Sequence, residues 1–154
     1  MESITMQALG LAGAFAAVGF SAVGSALGTG AAGAATIGAW KKCYASNKPA
    51  PFLLMAFAGA PISQTIYGLV LMFSIIAKAQ ASPASWITYL VVGILAGVGM
   101  GYSAWFQGRA GAGASQAFAE TEQGFVNYLT VLGIIETVAI FVLVLAMVLL
   151  GKIA

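Results

Sequence analysis

Charge is what this chain has least of. Only 6% of its 154 residues are charged, where a soluble domain carries about a quarter. That is too little to cover a water-facing surface. Histidine is missing, so no imidazole is available as a metal ligand or general base. The single cysteine, Cys43, cannot close an intrachain disulfide and has no metal-ligand spacing around it. It reads as an unpaired thiol in a loop. A net charge of +2 is too small to point to nucleic acid. The start, "MESITM", lacks a basic n-region, and the apolar run behind it is longer than a signal-peptide core, so a retained span is expected there. "GTGAAGAAT" has no lysine at the phosphate-binding position and lies inside an apolar run, so it is not a P-loop.

Apolar residues are abundant instead. They make up 61% of the chain, and the mean hydropathy is +0.99. Charges and turn formers divide the chain into four apolar segments, at about 4–40, 52–76, 86–119 and 126–150. Each exceeds the roughly 20 residues that cross a bilayer as helix. None shows the period-two alternation of barrel strands. The expected fold class is therefore an all-α membrane protein with four transmembrane helices. Lys41, Lys42 and Lys48 fall in the first loop and only Lys78 in the second. The positive-inside rule then makes the loops between spans one and two and between spans three and four cytoplasmic, with both termini outside.

The chain also resembles itself. "SALGTGAAGA" (25–34) laid over "SAWFQGRAGA" (103–112) matches at six of ten positions, and Thr29 falls on Gln107. "SQTIYGLV" (63–70) laid over "IETVAIFV" (135–142) sets Thr65 on Thr137 and Gln64 on Glu136. Two matched blocks in the same order indicate a tandem-duplicated helical hairpin, 1–80 and 81–154, with both copies in the same orientation. The first and third spans carry small-residue stripes at helical spacing: Gly10, Ala14, Ala17, Ser21, Gly24, Gly28 and Ala32, then Gly93, Gly97, Gly101, Ala104, Gly108 and Gly111. Such stripes let backbones approach closely in lipid. They suit packing within one bundle or the narrow inner wall of a ring, and periodicity does not separate the two.

Of four acids, Glu2, Glu120 and Glu122 lie at span ends, whereas Glu136 lies near the middle of the fourth span. An ionised carboxylate at that depth must be protonated, paired or bound to a cation, so Glu136 is the candidate ion or proton site. Arg109 and Lys78 are the candidate partners by charge, but Lys78 sits at a span end, and Arg109 is expected to snorkel or bind a neighbouring acidic group rather than cancel Glu136 permanently. The other polar residues at depth are Ser63, Gln64, Thr65 and Tyr67, all within "PISQTIYG", and Gln107. A proton carrier needs only the carboxyl group. Neutral oxygens gathered around one carboxylate suit a hard monovalent cation, which favours Na+ over H+. Pro61 lacks an N–H, so it either kinks the helix or leaves carbonyl oxygens free to line an ion site.

These residues resemble the duplicated proteolipid of rotary V-type ATPases, the membrane-rotor component designated K or c. The resemblance spans the whole chain. "APISQTIYG" is similar to the sodium-type pattern L-P-G-T-Q-G-L-Y-G, "FQGRAGAGASQ" to A-Q-G-K-V-A-A-A-G-I-Q, and "IIETVAI" to V-E-T-Y-A-I. It implies Glu136 as the essential carboxylate and Ser63, Gln64, Gln107 and the Ala60 carbonyl as Na+ ligands. Tyr67 would close the site, with Pro61 and Thr137 in support. Ile62, where the family has Gly, and Arg109, where it has Lys, depart from the pattern. The resemblance further implies a homo-oligomeric rotor ring in a prokaryotic cell membrane. The ring would turn in lipid against a stator a/I-type subunit and central-stalk subunits, with ATP hydrolysed elsewhere.

Three other readings compete. A proton-translocating rotor of the same fold needs no ligand set beyond Glu136. A small four-helix cation/drug antiporter needs an aromatic cage, and Trp40, Trp86 and Trp105 are scattered along the chain. A purely structural packing protein leaves Glu136 without a role.

Overall fold

A computed structural model describes residues 2–153. Five helices run in chain order: α1 (Glu2–Ala45), α2 (Leu54–Gly59), α3 (Ser63–Ala81), α4 (Trp86–Thr121) and α5 (Phe125–Gly151). The 3₁₀ turn Ala60–Ile62 joins α2 to α3, and a second one, Pro83–Ser85, leads into α4. Four segments are thus long and apolar enough to cross a membrane: Glu2–Ala45, Leu54–Ala81, Pro83–Thr121 and Phe125–Gly151. The expected all-helical, four-span class holds, and among the described residues there is no strand. The chain reads as an integral membrane protein.

The helices outrun the expected spans. At 1.5 Å per residue the 44 residues of α1 reach about 66 Å, twice a hydrocarbon core of about 30 Å. Lys41 and Lys42 therefore lie in the last turns of α1 rather than in a loop. Cys43 is likewise helical, and it is buried against α4, not free in a loop. The connection from α4 to α5 is very short. It turns through two left-handed residues, Glu122 (φ 55°) and Gly124 (φ 80°). The ring of Tyr128 lies against Gly124, so a Cβ there would be both strained and crowded.

The small-residue stripes face each other inside the chain. All thirteen of their members are buried. Gly13 meets Gly93, Gly24 meets Gly101 and Gly28 meets Gly108, so α1 and α4 run parallel in backbone contact. A Cβ built on Gly97 would lie 2.6 Å from the Ala16 carbonyl, and one on Gly68 2.6 Å from Ser21 Oγ. Of the two roles for the stripes, close packing within one bundle is the one seen here. α3 lies along α1, and α5 packs on α4 and α3. The contacts Tyr67–Glu136 and Lys78–Ile153 show that α3 and α5 also run parallel to each other. Both hairpins therefore point the same way.

Two apolar clusters bracket the level of Glu136. One gathers Leu71, Ile75, Tyr89, Met100, Ala139 and Leu150. The other is aromatic: Phe57 packs at 5.3 Å on Phe125 and 6.4 Å on Phe118, tying α2 to the start of α5. Pairs of this kind contribute about 0.5–1.5 kcal/mol beyond area burial. Of the four spans, Phe125–Gly151 buries the smallest share of itself, so α5 is held chiefly along one face.

Candidate ion-binding site

The α2–α3 break comes from Pro61. Without an N–H it offers nothing to the Phe57 carbonyl one turn earlier, and the backbone tightens so that the Ser63 N–H reaches the Ala60 carbonyl. Gly111 of α4 comes in against that Phe57 oxygen, where a Cβ would stand 2.6 Å away. Pro61 itself is buried and packs towards Gly28. Ile62 points outward, 53% exposed, with ordinary helical backbone angles. Its departure from the expected glycine therefore places no side chain in the site.

Gln64 and Gln107 are fully buried and bonded to each other, Gln64 Nε2 donating to Gln107 Oε1 at 2.9 Å. Gln107 Nε2 donates to Glu136 Oε2 at 3.2 Å and to the Leu132 carbonyl at 3.0 Å. The Tyr67 hydroxyl donates to Glu136 Oε1 at 2.6 Å. Ser63 Oγ lies 3.0 Å from the Ala60 carbonyl and 3.2 Å from Gln64 Oε1. One continuous network thus runs from the Ala60 carbonyl through Ser63, Gln64 and Gln107 to Glu136, with Tyr67 on its far oxygen. Every ligand or closing residue expected from the sequence belongs to it.

Thr137 does not. It is exposed, and its hydroxyl bonds the Ile134 carbonyl of its own helix at 2.6 Å. No cation reaches Glu136 among the described residues. Arg109 is exposed and lies 5.8 Å over the Phe106 ring. Lys78 donates to the Ile153 carbonyl at the far end of the hairpins. The ion pair seen, Lys42 with Glu120 at 2.6 Å, is on the surface.

The chemistry of this donor set is directional. Both partners of the Glu136 carboxyl group are donors, the Tyr67 hydroxyl and Gln107 Nε2. Ser63 Oγ faces two acceptor oxygens and has one proton to give, so Ala60 O, which also accepts the Ser63 N–H, and Gln64 Oε1 compete for one hydroxyl hydrogen. A cluster of lone pairs next to a carboxylate, half-buried at the depth of a membrane span, is a place for a hard cation.

Ser103 escaped the sequence reading. Its buried hydroxyl donates to the Ile135 carbonyl at 2.9 Å, next to Glu136 in the chain. The signal was present, since Ser103 is one of the positions the repeat matches, to Ser25. A second buried pair, Thr36 with Ser115 at 2.9 Å, was also missed. It joins α1 to α4 away from the site.

No curated protein matches the chain at a significant level. Residues 90–149, which take in most of α4 and α5 with Ser103, Gln107 and Glu136, match the family model of the ATP synthase C subunit, a family of non-catalytic proteolipid rotor subunits.

Proposed function

We propose that the chain is the ion-translocating rotor-ring subunit of a rotary V-type ATPase, holding one Na+ per subunit at Glu136. The observation that carries the choice of ion is the oxygen cluster at Ala60, Ser63 and Gln64, whose oxygens compete for one hydroxyl proton, beside a carboxylate that has no basic partner among the described residues. A proton carrier has no use for those oxygens, whereas a hard cation takes about six. The Ala60 carbonyl, Ser63 Oγ, the side-chain oxygens of Gln64 and Gln107, and Glu136 are the ligands, with Tyr67 closing the carboxylate.

The parallel course of the two hairpins supports a duplicated unit, 1–80 and 81–154. Its second half keeps the acid, and its first half supplies a neutral amide at the matching position. Several copies form the ring. Each carries its ion through lipid as a neutral site, because a bare carboxylate there costs several kcal/mol. A stator a/I-type subunit with a fixed positive charge displaces the ion, and the central stalk couples the turn to ATP hydrolysis elsewhere. The lysine-bearing end, with the α1–α2 and α4–α5 connections, faces the cytoplasm.

The test is carbodiimide labelling of the chain in membranes. Na+ should protect Glu136 from modification, and Glu136→Gln should abolish labelling. Labelling of Glu136 that answers to pH and is indifferent to Na+ would transfer the reading to a proton rotor.

A further inference from the structure

Two side chains of α4, one helical turn apart, grip the backbone of α5. Gln107 holds the Leu132 carbonyl at 3.0 Å and Ser103 holds the Ile135 carbonyl at 2.9 Å. Both grips fall on the turn leading into Glu136. Along the rest of its length α5 meets α4 through apolar contact, aliphatic where Val142 lies against Gly99 and aromatic where Phe125 lies 5.7 Å from Phe118. Apolar packing resists separation better than roll. A carboxylate about 6 Å from the helix axis moves about 2 Å when the helix rolls by about 20°. That displacement would break the 2.6 Å bond from Tyr67 and the 3.2 Å bond from Gln107.

The two grips are not equivalent. Gln107 Nε2 is divided between the Leu132 carbonyl and Glu136 itself, so its hold changes whenever the site changes. The Ser103 hydroxyl bonds the Ile135 carbonyl and no side chain of the site, and Ser103 is only 5% exposed. Neither atom of that bond is a ligand.

The first hairpin provides an internal comparison. Ser25 falls on Ser103 in the repeat, is buried to the same degree, and its Oγ has no hydrogen-bond partner. Thr29, on the position of Gln107, turns back to the Ser25 carbonyl of its own helix at 2.8 Å. The hairpin whose second span lacks the acid lacks both grips.

We propose that Ser103 is a positioning residue for Glu136, its hydroxyl fixing the roll of α5 through the Ile135 carbonyl and so setting the carboxylate against Tyr67 and Gln107. The proposal rests on Glu136 being the working carboxylate. It does not depend on which ion that carboxylate takes. The titratable side chain bonded to Glu136 is Tyr67 of α3, and α4 faces it with Gln107 and Ser103, which carry no charge.

The experiment measures carbodiimide labelling of Glu136 in full-length chain in membranes, against pH and against NaCl concentration. Ser103→Ala should shift the pH midpoint of labelling by about 0.7 of a unit and raise half-protecting Na+ about fivefold, the effect of one ordinary hydrogen bond. Ser103→Thr, which keeps the hydroxyl, should behave as the parent chain, and so should Ser25→Ala. If Ser103→Ala does not assemble, Ser103→Cys carries the test, its thiol filling the place as a weaker donor. Unchanged midpoints in Ser103→Ala, or an equal shift in Ser25→Ala, would overturn the proposal. Loss of Na+ protection in the parent chain would instead count against the sodium reading. The pH midpoints would still decide the role of Ser103.

Discussion

Gln64 and Gln107 are partners before either is a ligand: the amide of one meets the carbonyl oxygen of the other at 2.9 Å, with neither exposed. Truncating either one strands the other in a dry interior, and an unsatisfied buried polar group costs about 1–3 kcal/mol. Gln64→Ala and Gln107→Ala should each raise half-protecting Na+ by roughly tenfold. The double variant should fall short of the product of the two by about 1 kcal/mol of coupling, since the second truncation removes a group already stranded. Titrating Na+ protection in all four chains completes the cycle, and strictly multiplicative effects would show that the amides act independently.

Tyr67 is half-buried and makes the shortest bond to the carboxylate, 2.6 Å. Hydrogen bonds to charged groups contribute about 1.5–3 kcal/mol. Tyr67→Phe keeps the ring and removes only that donor. The expected result is faster carbodiimide modification of Glu136 and a rise of at least tenfold in half-protecting Na+. The fold should be intact by circular dichroism. Labelling kinetics as slow as in the parent chain would mean that Tyr67 packs beside the site without closing it.

Much of this was legible in the sequence for a physical reason. In hydrocarbon a polar residue is too costly to place idly, so Ser63, Gln64, Tyr67, Gln107 and Glu136 stood out against their surroundings and are found in one network. The all-helical, four-span architecture followed from the length of the apolar runs. The same rule failed where polarity is satisfied within a single helix. Thr137 sits beside Glu136 in sequence, yet one residue of helix turns a side chain by about 100°, and its hydroxyl is absorbed by Ile134. Ser103 was overlooked for the opposite reason, because a serine beside a stripe of Gly and Ala reads as one more small residue. Periodicity also left the stripes with two possible roles, since facing an internal helix and facing a neighbouring copy place the same demand on size.

Pro61 makes a separable prediction. An alanine there would restore an N–H within reach of the Phe57 carbonyl and allow α2 and α3 to join as one α-helix. The Ala60 carbonyl would then exchange its 3₁₀ bond from the Ser63 N–H for an α-helical one and shift against Ser63 Oγ and the rest of the site. Pro61→Ala should therefore weaken Na+ protection several-fold while leaving thermal stability equal or higher. Thermal unfolding and Na+ titration on the same preparation check both halves, and a loss of stability without a loss of Na+ protection would assign Pro61 to packing alone.

The glycines separate contact within the chain from contact between copies. Gly24 lies against the Gly101 backbone, and a Cβ built there has no room. Gly33, on the same helix, has nothing within 4 Å. Gly24→Leu should force α1 from α4, with overpacking of this kind costing about 1–3 kcal/mol or more, and should lower the unfolding temperature of the isolated chain in detergent. Gly33→Leu should leave that temperature unchanged, because the added side chain enters open space. If copies pack into a ring along the small-residue surface around Gly33, the same change should reduce the large oligomer to smaller species. Light scattering coupled to size exclusion, run beside the unfolding measurement, distinguishes these outcomes. An intact ring in Gly33→Leu would place the contact between copies on another face of α1.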